Sequence, residues 1–120
     1  MLVEHLPRRL LHLEGLAVLI GTLVLYFDAS YGWLLLLVLF LAPDLSMIGY
    51  LGGPRVGALM YDVVHTYALP ITLGVAGVVG DSSLATQIAL IWAAHIGMDR
   101  LLGYGLKYPT AFRDTHLQRV

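Results

Sequence analysis

The chain contains no cysteine. That excludes a disulfide framework, a thiolate metal site and a cysteine nucleophile. Charge is scarce too: only 12% of the residues are Asp, Glu, Lys or Arg, against roughly 25% in an ordinary soluble domain. A small globule has much surface for its volume, and so few charges cannot cover it. There is no internal repeat and no low-complexity tract. No stretch alternates cleanly as an outer-membrane barrel strand must. Apolar residues fill the space instead, at 58% of 120 residues with a mean hydropathy of +0.79. This composition excludes disorder, argues against a soluble monomer and makes lipid the solvent. At about 150 residues per domain, there is room for one domain.

A transmembrane helix needs about 20 mostly apolar residues. Four segments qualify, over about 10–27, 33–50, 56–79 and 84–102, followed by a tail over 103–120. The connections Asp28-Ala-Ser-Tyr-Gly32, Gly52-Gly53-Pro54 and Gly80-Asp81-Ser82-Ser83 are short and rich in turn residues. Short links make sequential helices antiparallel neighbours. The fold class that follows is all-α: a transmembrane four-helix up-down bundle forming a single integral membrane domain over 1–120. The first span is not a signal peptide, because it lacks a small-residue cleavage site and three more spans follow. Gly49, Gly53 and Gly57 are spaced by four, but Pro54 interrupts them, so they mark a tight turn.

The seven basic residues are Arg8, Arg9, Arg55, Arg100, Lys107, Arg113 and Arg119. All fall at the N-terminus, the second loop or the C-terminal end, whereas the first and third loops carry only Asp28 and Asp81. The positive-inside rule then places both termini in the cytoplasm and the chain, as a multi-pass protein, in the cytoplasmic membrane.

Ionisable residues inside spans are costly and usually functional. Here they are Glu14, Asp44, Asp62, His65, His95 and Asp99, and every expected helix supplies at least one. At about 1.5 Å per residue, Glu14 lies roughly 8 Å beyond Arg9, Asp44 roughly 12 Å before Gly52, and Asp62 and His65 roughly 10 and 15 Å beyond Arg55. The groups share one layer in the cytoplasmic half. Asp62 and His65 are spaced i, i+3, and His95 and Asp99 i, i+4, so each pair shares a helix face. Imidazole with carboxylate suits zinc, iron or manganese. Asp44, His65, His95 and Asp99 are the candidate ligands, with Asp62 or Glu14 as base or as support to a ligand. Each group also has a plainer role. Glu14 can snorkel or pair with Arg55 or Arg100, Asp44 can cap a helix restarting after Pro43, His65 can donate to a backbone carbonyl, and His95 can bond Asp99 within one helix.

The tail leaves through Gly103 and Gly105, with Phe112 and Leu117 as residues to bury. It either folds over the cytoplasmic mouth, bringing Lys107, Asp114 and His116 to the opening, or lies along the membrane surface with Tyr104 and Tyr108 at the interface.

Several stretches resemble a known family: Leu41-Ala-Pro-Asp-Leu-Ser-Met-Ile-Gly-Tyr50, Gly53-Pro-Arg-Val-Gly57, His65-Thr-Tyr-Ala-Leu-Pro70, Ile91-Trp-Ala-Ala-His-Ile-Gly-Met-Asp-Arg-Leu-Leu-Gly-Tyr-Gly-Leu-Lys107 and Thr115-His-Leu117. The family comprises small bacterial and archaeal membrane proteins catalogued as domain of unknown function 4260. The resemblance runs from about Leu10 onward and implies a four-span integral membrane protein with no assigned activity. A looser similarity links Pro43-Asp44 and His95 to Asp99 with pieces of integral membrane metal-dependent hydrolases, although their double-aspartate and other histidine motifs are absent.

Four functions compete. One is a metal-dependent hydrolase acting on a lipid-like or membrane-borne substrate. The others are a small transporter, channel or proton-relay subunit, a structural or partner-binding module, and a haem protein with His65 and His95 as axial ligands. The flanking basic residues form no extended patch for nucleic acid. The topology is testable directly. A cysteine introduced at residue 81 should react with an impermeant thiol reagent added outside intact cells; labelling only from the cytoplasmic side would overturn the orientation.

Overall fold

The computed structural model of the chain describes residues 5–106 and residue 117. All regular structure among them is helical. Helix α1 runs Leu6–Asp28, α2 Trp33–Leu39, a 3-10 helix Ala42–Gly52, α3 Pro54–Val64, α4 Ala68–Val79 and α5 Ser83–Leu102. Expected spans one and four are continuous helices. Expected spans two and three are each broken. Proline is the cause: Pro43 offers no N–H to the Leu39 carbonyl and Pro70 none to the Thr66 carbonyl, and each ring crowds the carbonyl four residues back.

After the first break the chain winds more tightly. The Asp44 N–H bonds the Leu41 carbonyl at 3.0 Å, the i to i−3 pattern of a 3-10 helix. Burial along this segment repeats every three residues, as that winding requires. Pro43, Ser46 and Gly49 face inward, while Leu45, Ile48 and Leu51 face outward. The second break ends α3 at Val64 and restarts the chain as α4 at Ala68.

Leu6–Asp28, Trp33–Gly52 and Pro54–Val79 are long and apolar enough to cross a membrane. Helix α5 is not in that set, because Gln87, His95, Asp99 and Arg100 lower its hydropathy. Its burial explains why it tolerates them. Ala89, Ile91, Ala94, His95, Ile96, Gly97, Asp99 and Arg100 are all buried. Large apolar side chains are exposed along every other helix, but on α5 only at its ends, at Leu84 and Leu102. The molecule is polar at its centre and apolar outside, the arrangement that lipid rather than water stabilises.

Helices α1 and α4 both pack on α5, and α3 packs on the 3-10 helix. The α1–α5 crossing is a backbone contact. A Cβ added to Gly15 would lie 2.5 Å from the Arg100 Cβ and 2.6 Å from the Gly97 carbonyl oxygen. Small residues of this kind let membrane helices approach closely. His12 Nδ1 lies 2.8 Å from the Leu101 carbonyl oxygen and serves one of the last carbonyls of α5. Gly103 then ends α5 in the left-handed region at φ 95°, and the Tyr104 N–H bonds the Asp99 carbonyl at 2.7 Å. At the other end, Ser82 Oγ caps the helix by accepting from the Ala85 N–H at 3.2 Å. The 3-10 helix and α3 form a tight hairpin through Gly53; Gly57 lies against the Tyr50 ring and Gly49 against Met60. Of the tail, Leu117 is buried, while Lys107, Phe112, Asp114 and His116 lie outside the described residues.

The α1–α5 crossing gives a prediction with an internal control. A Cβ at Gly21 would meet nothing within 4 Å. Gly15→Ala should therefore lower stability by about 1–3 kcal/mol through overpacking, whereas Gly21→Ala should be neutral or stabilising by at most about 1 kcal/mol. Thermal unfolding in detergent compares the two variants.

Candidate metal centre

The proline breaks aim two of the four key side chains. Asp44 directly follows Pro43 in the first turn of the 3-10 helix. His65 is the C-terminal cap of α3, three residues after Asp62, with its N–H on the Tyr61 carbonyl at 2.8 Å. Helix α5 supplies His95 and Asp99, one turn apart on its buried face.

These side chains converge. The His65 and His95 Nε2 atoms are 3.3 Å apart. Asp44 Oδ1 lies 3.4 Å from His65 Nε2 and 3.1 Å from His95 Nε2. Asp99 Oδ2 lies 3.4 and 3.2 Å from the same two atoms. All four ligand atoms fall within 4.8 Å of one another. Both imidazoles are fully buried, the Asp99 side chain is 8% exposed and that of Asp44 35%.

The spacing has a simple geometric meaning. Atoms about 3.3 Å apart on a regular tetrahedron lie about 2.0 Å from its centre, the length of a zinc–imidazole or zinc–carboxylate bond. Five of the six separations, at 3.1–3.4 Å, match such edges, while the two carboxylate oxygens are held only to within 4.8 Å of each other. The ring orientation matches as well. His65 Nδ1 lies 2.9 Å from the Tyr61 carbonyl oxygen; an Nδ1–H donating there leaves the Nε2 lone pair facing the cluster, the arrangement typical of a ligating histidine. His95 interacts with the Phe40 backbone, although its buried Nδ1 makes no hydrogen bond of good geometry among the described residues. Its ring packs edge-on to Phe40, with centroids 5.7 Å apart.

A second set of side chains holds the first. The Tyr61 ring stacks on His65 at 3.7 Å, nearly parallel, and its hydroxyl points at Asp99 Oδ2 at 3.5 Å. Trp92 Nε1 donates to the Val64 carbonyl at 2.6 Å, and Arg100 donates to the His65 carbonyl at 3.1 Å and the Tyr104 carbonyl at 3.0 Å. The helix end before Pro70 is therefore served by donors from α5. Sequence reasoning missed these three residues. Spacing and composition give Tyr61 and Trp92 no role, and Arg100 counts among the flanking basic residues and as a possible partner of Glu14. The available signal was Pro70, since carbonyls freed in an apolar medium require donors from a neighbouring helix.

Asp44, His65, His95 and Asp99 are thus brought together. Asp62 is half-buried and Glu14 is exposed on α1, and neither joins the group of four.

The family described as Domain of unknown function (DUF4260) matches residues 8–120, and the chain belongs to it. No curated protein and no solved structure matches the chain.

The Trp92 bond can be tested by removing its donor. Trp92→Phe leaves the Val64 carbonyl unpartnered and should lower the unfolding free energy by about 1–3 kcal/mol. Trp33→Phe, at a side chain 65% exposed, should change stability by less than about 0.5 kcal/mol. Thermal melting in one detergent separates the two.

Proposed function

We propose that this family member is a four-span protein of the cytoplasmic membrane, one domain over 1–120 with both termini inside. In this reading Asp44, His65, His95 and Asp99 hold a divalent metal ion near the cytoplasmic face, and the ion serves hydrolysis of a lipid-like or membrane-borne substrate. The observation that carries the reading is the set of Nε2 and carboxylate separations at 3.1–3.4 Å. Two imidazoles and two carboxylates suit zinc, iron or manganese. The orientation rests on the one-sided distribution of basic residues. Burial of Arg100 removes it from the flanking charges, but no basic residue lies in the 28–32 or 80–83 loops.

When bound, such an ion supplies Lewis-acid polarisation and a nucleophilic water near neutral pH. Hydrolysis then needs no co-reactant but water. The chain's own residues orient the ligands: the Tyr61 carbonyl fixes one imidazole, and the Tyr61 hydroxyl is aimed at Asp99. Asp62 and Glu14 are the acid–base candidates outside the ligand set. A crevice of about 270 Å³ is lined by Leu39, Ala42, Pro43, Val64, Ile91 and Trp92; none of the four ligands lines it, but Pro43 precedes Asp44 and Val64 precedes His65 in the chain. An apolar crevice beside a polar centre suits an amphiphile.

A second reading, a structural centre that locks the helices in register, draws support from the complete set of four protein ligands, the usual mark of structural zinc. Elemental analysis tests the shared premise. Protein purified in detergent without chelator should contain about one zinc per chain, and His65→Ala combined with His95→Ala should contain none. Protein that takes up neither zinc, manganese nor iron on addition would remove both readings. Loss of lipid-ester hydrolysis on chelation, restored by zinc while the fold persists, would favour the hydrolase.

A further inference from the structure

We propose that Asp44 is the exchangeable ligand of this centre: it completes the set of four ligands at rest and gives way to an anionic oxygen donor, such as the carboxylate or phosphoester group of an amphiphile. The inference rests on the metal reading above and deepens it. Three observations distinguish Asp44 from its partners. The first is burial. The other three side chains are between 0% and 8% exposed, and Asp44 is 35% exposed. It is the member of the four within reach of an incoming molecule.

The second is support. His65 is anchored through Nδ1 to the Tyr61 carbonyl, and Asp99 faces the Tyr61 hydroxyl and sits in the middle of the buried face of α5. Among the described residues, the only hydrogen-bond partners of the Asp44 carboxylate are the two imidazoles. The third is the backbone. Asp44 rides on an 11-residue 3-10 helix that begins at a proline break and ends at Gly52 and Gly53. Such winding has poorer hydrogen-bond geometry than an α-helix, and an extended stretch of it often marks a hinge.

The chemistry of the remainder fits the role. Two imidazoles and one carboxylate with a fourth position open is a donor set of catalytic zinc, whereas four protein ligands close the ion to substrate. Charge selects the replacement. With neutral imidazoles, a divalent ion between two carboxylates is balanced. Once Asp44 leaves, the centre carries one net positive charge, and an anionic oxygen restores the balance.

Cobalt(II) in place of zinc gives a visible spectrum that reports coordination, and azide serves as the anionic probe. Cobalt-loaded Asp44→Ala should retain about one ion per chain and show an azide-induced spectral shift at an azide concentration at least about tenfold below that needed by the unsubstituted protein. Asp44→Asn, the milder change, should fall between them. His95→Ala and Asp99→Ala should lose the ion. If Asp44→Ala and Asp44→Asn lose cobalt to the same extent as Asp99→Ala, or bind it and ignore azide, Asp44 is a fixed ligand and the inference fails. Failure of both Asp44 variants to fold overturns it too, since an exchangeable ligand cannot be what holds the fold. Absence of cobalt and zinc binding by the unsubstituted protein is a different result, because it removes the metal reading itself.

Discussion

Two imidazole nitrogens 3.3 Å apart, each also beside two carboxylate oxygens, set the terms for the rest of the molecule. In an apolar medium a single charged side chain at mid-helix costs about 2.5–3.5 kcal/mol even after relaxation. Four such groups persist together only by satisfying one another around a shared proton or cation. They also join two halves of the fold. Helices α1 and α4 pack closely on α5, and α3 packs on the 3-10 helix. The hairpin of α3 and the 3-10 helix meets α5 through long side chains: His65 and Asp44 on His95 and Asp99, Tyr61 on Asp99, and Trp92 and Arg100 on the end of α3. The polar centre is the joint itself, and the apolar belt around it is what lipid leaves possible.

The helix breaks follow from the same constraint. A continuous helix satisfies all its backbone groups, so breaking one inside lipid has a cost that must be offset locally. Here Trp92 and Arg100 offset it by serving the Val64 and His65 carbonyls. What the break provides is direction. His65, as the cap of α3 rather than a mid-helix residue, turns its ring onto Tyr61 and its Nε2 toward α5. Interrupted helices that present groups at a buried site are a recurrent device of membrane proteins. Both interrupted segments of this chain end at the same four atoms.

This also explains what the sequence reveals and what it conceals. Helical segments, their apolar surroundings and the shared depth of the ionisable groups are properties of spacing along the chain, and they can be read directly. Asp44, His65, His95 and Asp99 were legible as a group for that reason. Azimuth was not. Treating 56–79 as one helix carries a single phase through the whole segment, but the α-helical pattern holds only as far as His65, whose N–H still bonds the Tyr61 carbonyl, and is lost before α4 restarts at Ala68. Glu14 illustrates the second limit: depth in the layer does not say which residues converge, and Glu14 is exposed on α1 and outside the group of four. Arg100 illustrates a third. Counted by position it is a flanking charge, yet the need for donors at the Pro70 break draws it inward until it is 6% exposed. The length of the 3-10 helix was not legible either, because only Pro43 marks its start and nothing in composition separates its winding from an α-helix.

The opposite end of the molecule bears on what kind of site this is. Toward the 28–32 and 80–83 loops, α1, α4 and α5 enclose a cleft of about 630 Å³ whose lining includes Leu25, Ile71, Val75, Val78 and Leu90. Three residues with hydroxyls line it: Thr22 and Thr86 donate within their own helices, to the Val18 carbonyl at 2.7 Å and the Ser82 carbonyl at 3.0 Å, and Tyr31 stands in the 28–32 loop. The rest of the lining is apolar, so a charge entering the cleft from the His–Asp cluster would lose its hydration along most of this wall, at a large desolvation cost. The polar ligands gather at one end of the molecule and the apolar cleft lies toward the other, an asymmetry that agrees with the proposed chemistry on a molecule held at the membrane, with the partly exposed carboxylate of Asp44 on the polar side.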